Sequence, residues 1–161
     1  MTEPDTAQTA TSAATADVPD EILRSIHVAA TAETVFAVVS EPGWFINDGE
    51  YRAHEITVEG DVSRVVDPVH GEFAIRTVEL DPPQRAVFQW LAGVDGDLSD
   101  HPANTVEFTL EPEGDGVLLT VRETGFASIS RDTAERRARF EDNTQGWIEE
   151  LEVARRRAEA A

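Results

Sequence analysis

The chain has 161 residues, enough for one domain with a core of its own and little more. Its 13 basic residues, all arginine, stand against 32 Asp and Glu for a formal charge of −19, so phosphate backbones and anionic lipid heads repel it, and nucleic acid and membrane surfaces are poor partners. With no cysteine, disulfides, thiol nucleophiles and thiolate metal sites are excluded.

Residues 1–19 are small, polar and acidic, and bury too little apolar surface to offset the entropy of ordering. A disordered tail is therefore expected there, with the folded domain over 20–161. This start has neither the basic residues nor the apolar run of a secretory signal, and no stretch approaches the roughly 18 apolar residues of a membrane span. The expected location is the cytoplasm.

Within the domain, Ile22, Ile26 and Val28 fall on alternate positions and predict a half-buried strand over Glu21–Val28. Thr31 offers an N-cap, and Ala32, Val35, Phe36 and Val39 follow at helical spacing until Pro42-Gly43. A Gly/Asn/Asp-rich loop then carries Trp44, Phe45 and Tyr51. Strands are predicted over 55–59, 62–66, 72–80 and 85–91, with turns at Gly60-Asp61 and Pro82-Pro83. After an irregular loop over 93–102, strands 105–111 and 117–124 form a hairpin around Glu113-Gly114-Asp115-Gly116.

The end is helical from Asp132 to about Ala160, opened by a capping box of Asp132 and Glu135. Phe140, Thr144, Trp147, Leu151 and Ala154 make its apolar stripe, and Arg155, Arg156 and Arg157 suit the negative end of the helix dipole. Gly146 interrupts a good helix, which predicts close approach to something bulky. Strand, helix, antiparallel strands and one long helix together predict an α+β fold, a curved antiparallel sheet wrapped around the C-terminal helix.

Several segments carry a family resemblance. They are Ile26-His27-Val28-Ala29-Ala30 leading to Thr34-Val35-Phe36, then Trp44-Phe45, then Glu79-Leu80-Asp81-Pro82-Pro83 with Phe88 and Trp90. Val106 to Pro112, Glu123-Thr124-Gly125-Phe126 and Asn143-Thr144-Gln145-Gly146-Trp147 complete the set. In order and spacing the chain resembles the SRPBCC superfamily of START-like helix-grip domains, and within it the family named for the activator of the Hsp90 ATPase. Ala32 stands where such domains often carry proline. The resemblance implies the helix-grip fold over about Glu21 to Ala154. Its functions spread from ligand carriers and hormone receptors to polyketide cyclases and co-chaperones. The eukaryotic Hsp90 activators have an additional N-terminal domain, and this chain is expected to lack one.

Glu123 ends the inward row Val117, Leu119, Val121 and is the odd member of it. Facing a cavity, it would hydrogen-bond a ligand or act as acid or base; twisted outward, it would pair with a rim arginine. Trp44, Phe45, Phe88, Trp90, Phe108, Phe126, Phe140 and Trp147 either line a ligand cavity or pack as plain core, with Trp147 the leading wall residue. Asn143, one turn before Trp147, is expected to reach a backbone group and fix the helix on the sheet, a structural role that outweighs ligand contact. Of Arg76 and Glu79, one is a cavity candidate and the other surface, because Phe73 and Ile75 compete with Val78 and Leu80 for the inward face.

His27, His54, His70 and His101 lack metal-ligand spacing, and the triple His70, Glu72, Asp67 reads as an ordinary surface loop, so no metal is expected. Ser128 and Ser130 have no His–acid partners nearby, and no phosphate-binding glycine motif is present, so no cofactor is expected either. The leading function is non-catalytic binding of a small hydrophobic molecule between sheet and helix. The alternatives are a cyclase- or aromatase-like enzyme using Glu123 and a co-chaperone-like interaction domain; a homodimer and a chaperone contact stay open.

Overall fold

The computed structural model describes residues 21–90, 104–125 and 133–161. The elements run β1 (Glu21–Val28), α1 (Ala32–Val39), β2 (Glu55–Glu59), β3 (Val62–Asp67), β4 (Gly71–Asp81), β5 (Arg85–Trp90), β6 (Thr105–Glu113), β7 (Gly116–Thr124) and α2 (Thr133–Ala160). The strands form one antiparallel sheet in the order β1-β7-β6-β5-β4-β3-β2. The first strand in sequence thus pairs with the last, Ile22 opposite Glu123 and Val28 opposite Val117, and α2 lies against β1, β7 and α1. This is the predicted helix-grip arrangement, a curved sheet holding one long helix.

Local chemistry explains the elements. The Thr31 hydroxyl caps α1 by accepting from the Thr34 amide at 3.2 Å, and Val35, Phe36 and Val39 turn inward. Past the helix, Gly43 sits at φ +75°, and a Cβ there would lie 2.9 Å from Val65 Cγ1. Only glycine lets this turn press onto β3 while delivering Trp44 and Phe45 to the interior. In the β6–β7 hairpin the alternation is strict: Val106, Phe108 and Leu110 face Val117, Leu119 and Val121 in the core. Gly116 opens β7 where it meets β1, and a Cβ there would stand 2.0 Å from the Val28 carbonyl oxygen.

Strand β4 resolves the open choice of face. Ile75 is buried and Phe73 half-buried, while the register shifts between Thr77 and Glu79 and leaves Val78 and Leu80 exposed. Neither Arg76 nor Glu79 is a cavity group: Arg76 pairs with Asp61 at 3.2 Å and Glu79 with Arg85 at 3.1 Å, both at the surface. At the other end of the chain, α2 buries Trp147, Leu151 and Ala154 of the expected stripe and Ala158 one turn beyond it, while Phe140 and Thr144 are half-buried. Its terminal arginines do more than face a dipole. Arg155 pairs with Glu152 and Glu159, Arg156 donates to the Gly49 carbonyl at 2.8 Å, and Arg157 lies 4.1 Å above the Tyr51 ring. The expected capping box and the N-terminal tail lie outside the described residues, as do His101, Ser128 and Ser130.

Candidate functional site

The space between sheet and helix is largely filled with aromatic rings. Trp44, Phe88 and Phe108 are fully buried, and Phe108 packs against Trp44, Phe88 and Trp147 at centroid distances of 5.5, 6.3 and 5.7 Å. These three predicted site residues therefore form the core behind the site. Phe140 is partly buried against the same cluster, and Phe126 lies outside the described residues.

Phe45, Trp90, Glu123, Asn143 and Trp147 come together at one end of this layer, around a pocket of about 160 Å3 completed by Asp142, Gly146 and Glu150. Four elements supply it: the loop after α1, the ends of β5 and β7, and α2. On the helix, Asn143, Gly146, Trp147 and Glu150 follow the i, i+3, i+4, i+7 spacing of a single face. Phe45 links the walls, with ring centroids 5.1 Å from Trp90 and 5.2 Å from Trp147. A larger groove of about 660 Å3 runs between α1 and the C-terminal end of α2, past Glu41, Tyr51 and Arg157, and contains none of the predicted site residues.

Glu123 continues the inward row of β7 and is 1% exposed, so it does not twist out to a rim arginine. Its Oε1 accepts from Trp147 Nε1 at 2.7 Å and Asn143 Nδ2 at 3.2 Å, and its Oε2 from Asn104 Nδ2 at 3.0 Å. Burial pushes the carboxyl above its ordinary value, and the three donors pull it partly back. Asn143 thus fixes the helix to the sheet through a side-chain carboxylate, where a backbone group was expected. Gly146 also departs from expectation: a Cβ there would meet nothing within 4 Å. The missing side chain borders open pocket space.

Asn104, Asp142 and Glu150 escaped the sequence reading. Asn104 precedes β6, is buried, and joins strand ends through its carbonyl, which accepts from the Trp90 amide at 3.0 Å. Its position just after a loop gave no periodic signal. Glu150 lies one turn beyond Trp147; its Oε1 accepts from Asn47 Nδ2 at 2.8 Å, and burial, with Glu149 and Asp48 nearby, pushes it up to about 7. The face shared by Trp147 and residue 150 was the available clue. In sequence Glu150 is one glutamate of a Glu-Glu pair on a polar helix.

His54 and His70 serve other ends. His54 Nε2 and Arg52 Nε contact the buried carboxylate of Asp67 at 2.9 Å each, and the Val69 and His70 amides donate to it. Burial pushes Asp67 up, but these donors and Arg52 more than compensate and hold it at about 2. His70 turns to Asp48 at 2.7 Å and Glu72 to Arg64 at 2.7 Å, and among the described residues no group of three His, Asp or Glu side chains could hold a metal ion.

No curated protein matches the chain. Solved structures do. Protein MLL2253 from Mesorhizobium loti is 13% identical with a TM-score of 0.64, over 88% of this chain and 98% of its own. A START superfamily protein from Mycobacterium smegmatis is 17% identical with a TM-score of 0.58, over 86% and 98%. DynU16, a protein of the dynemicin biosynthetic locus, is 21% identical with a TM-score of 0.61 over 86% of this chain, which spans only 47% of DynU16. At these identities the likeness is one of fold. Among the described residues no helix is long and apolar enough to cross a membrane. The family model for the Activator of Hsp90 ATPase homolog 1-like protein matches residues 29–154, most of the chain, with every strand but β1 and both helices at least in part inside it. The chain belongs to the Activator of Hsp90 ATPase homolog 1-like family, on a START-type helix-grip fold.

Proposed function

We propose that this domain binds a small hydrophobic molecule, without turnover, in the pocket bounded by Phe45, Trp90, Trp147 and Gly146. The observation that carries the reading is the open space at Gly146. Glycine inside an α-helix costs about 1 kcal/mol against alanine, and no neighbour crowds this one. Its position on the wall of an aromatic pocket supplies the missing reason. An apolar wall with a few convergent polar groups is the ordinary make-up of a ligand site. The volume of about 160 Å3 limits the buried part of the ligand to about one ring, since an apolar cavity of roughly 150 Å3 takes up benzene.

Gly146→Leu tests this. The substitution raises helix propensity and places a side chain where the ligand would lie. The expected result is a melting temperature equal to or above the parent's, with loss of the thermal shift produced by small aromatic compounds and of any copurifying mass in native mass spectrometry. Binding that persists in the variant, or a parent protein that neither copurifies with nor is shifted by such compounds, overturns the reading. One observation favours the catalytic alternative: Glu150 gives Glu123 the second titratable partner that proton transfer would need. Turnover of a carbonyl substrate abolished by Glu150→Gln, with the fold intact by circular dichroism, would establish it. The activity in the family's description is checked by adding the protein to an Hsp90-type ATPase; stimulation unaffected by Gly146→Leu would move the function off this pocket.

A further inference from the structure

We infer that the ligand of this pocket carries a positive charge: a primary or secondary ammonium on a short arm from a single aromatic ring, seated between Glu123 and Glu150. The inference rests on the binding reading above and names the chemical class of the ligand. Its starting point is the polar inventory of the pocket. Glu123 is almost wholly buried, and its three partners among the described residues are two side-chain amides and an indole, the last of which can only donate. Such an arrangement holds an anion by neutral dipoles. A buried carboxylate is ordinarily matched by a cation, yet among the described residues that line the pocket the charged ones are Glu123, Asp142 and Glu150, all acidic.

The second oxygen supports the same conclusion. Among the described residues, Oε2 of Glu123 accepts one hydrogen bond against two at Oε1, which leaves it acceptor capacity for a ligand N–H. Glu150 enters from the facing turn of α2, held by Asn47, with one oxygen committed to that bond. The remaining walls are Phe45, Trp90 and Trp147, whose ring faces favour a cation as well as an aromatic group. Among the described lining residues an anionic ligand would meet three carboxylates and no compensating charge. A neutral one would leave them unmatched.

Three probes that share a phenylethyl body separate the ligand's charge from the existence of the site: 2-phenylethylammonium, 2-phenylethanol and 3-phenylpropionate. Each is titrated into the parent protein at pH 8, with calorimetry for affinity and the indole N–H resonance of Trp147 for location. The expected result is that the ammonium binds roughly tenfold or more tightly than the alcohol, as a charge-assisted hydrogen bond would make it, with the propionate weakest. The Trp147 resonance shifts, and Glu150→Gln, which keeps the Asn47 contact, weakens the ammonium alone. If the alcohol or the propionate binds as well as the ammonium, the charge inference is wrong while the pocket stands. If none moves the Trp147 resonance, the pocket reading falls and the inference falls with it. Glu150→Gln serves as the main variant because Glu123→Gln would aim an amide N–H at existing donors and disturb the fold.

Discussion

Replacing Glu150 by glutamine changes the pH dependence of stability by an amount that follows from the geometry. The folded-state value of about 7 lies above the ordinary 4.5, so the native state holds the extra proton between those limits. Stability therefore falls as pH rises through that window and levels off above it. Full expression of the shift corresponds to roughly 3 kcal/mol at about 1.4 kcal/mol per pKa unit. Solvent still reaches part of the carboxylate, which reduces the expectation to about 1–2 kcal/mol. Glutamine retains an oxygen for Asn47 Nδ2 and removes the charge facing Glu149 and Asp48 on its flanks and Glu123 and Asp142 around the pocket. Urea unfolding followed by far-UV circular dichroism at several pH values between 5 and 8 reads the effect. Parent and variant are expected to agree at the acid end and to diverge with rising pH, the variant being the more stable by about 1–2 kcal/mol at pH 8. Asp67 has the opposite sign: its stabilisation is present above about pH 4 and lost as pH falls toward 2, outside the measured range. Parallel curves for the two proteins, or a parent more stable than the variant at pH 8, would refute the reasoning.

Two further substitutions probe the frame and the site. Gly116→Ala drives a Cβ to 2.0 Å from the Val28 carbonyl and forces β1 away from β7, an overpacking expected to cost about 3 kcal/mol or more in a urea melt; a variant within about 0.5 kcal/mol of the parent would show that the strands separate freely. Trp147→Phe keeps most of the ring packing but removes the 2.7 Å bond to Glu123, with an expected loss of about 1–3 kcal/mol and a further rise in the Glu123 carboxyl's pKa, read by carboxyl NMR titration. An unchanged Glu123 titration would mean that the indole does not hold the anion.

Most of the fold was legible because each element carried its own period. The row Val117, Leu119, Val121, Glu123 and the stripe Trp147, Leu151, Ala154 needed only spacing, and both are buried as spacing predicts. Strand β4 resisted because its register shift lies between two competing apolar pairs, and a shift of one residue reverses every side chain beyond it. For the aromatics, composition identified a cluster without showing which members faced a void. Phe108 and Trp44 sit on the same inner layer as Phe45 and Trp147, and only packing in three dimensions separates core from wall. Asn104 and Glu150 were missed for a related reason: each acquires its role from a partner more than a dozen residues away.

The informative positions were those that break a local rule. A glutamate at the end of an apolar inward row, a glycine in the middle of a 28-residue helix, and a carboxylate raised toward neutrality are each unfavourable in isolation. Natural sequences are otherwise consistent from propensity to packing, so unfavourable choices that fall together on one site point to a demand other than stability. Here all three border the same pocket of about 160 Å3. A dry, fully packed interface would be more stable with alanine at 146 and apolar residues at 123 and 150. On the proposed reading, a ligand that fills the gap at Gly146 and matches the charge of Glu123 and Glu150 would turn each of these local costs into part of one binding site.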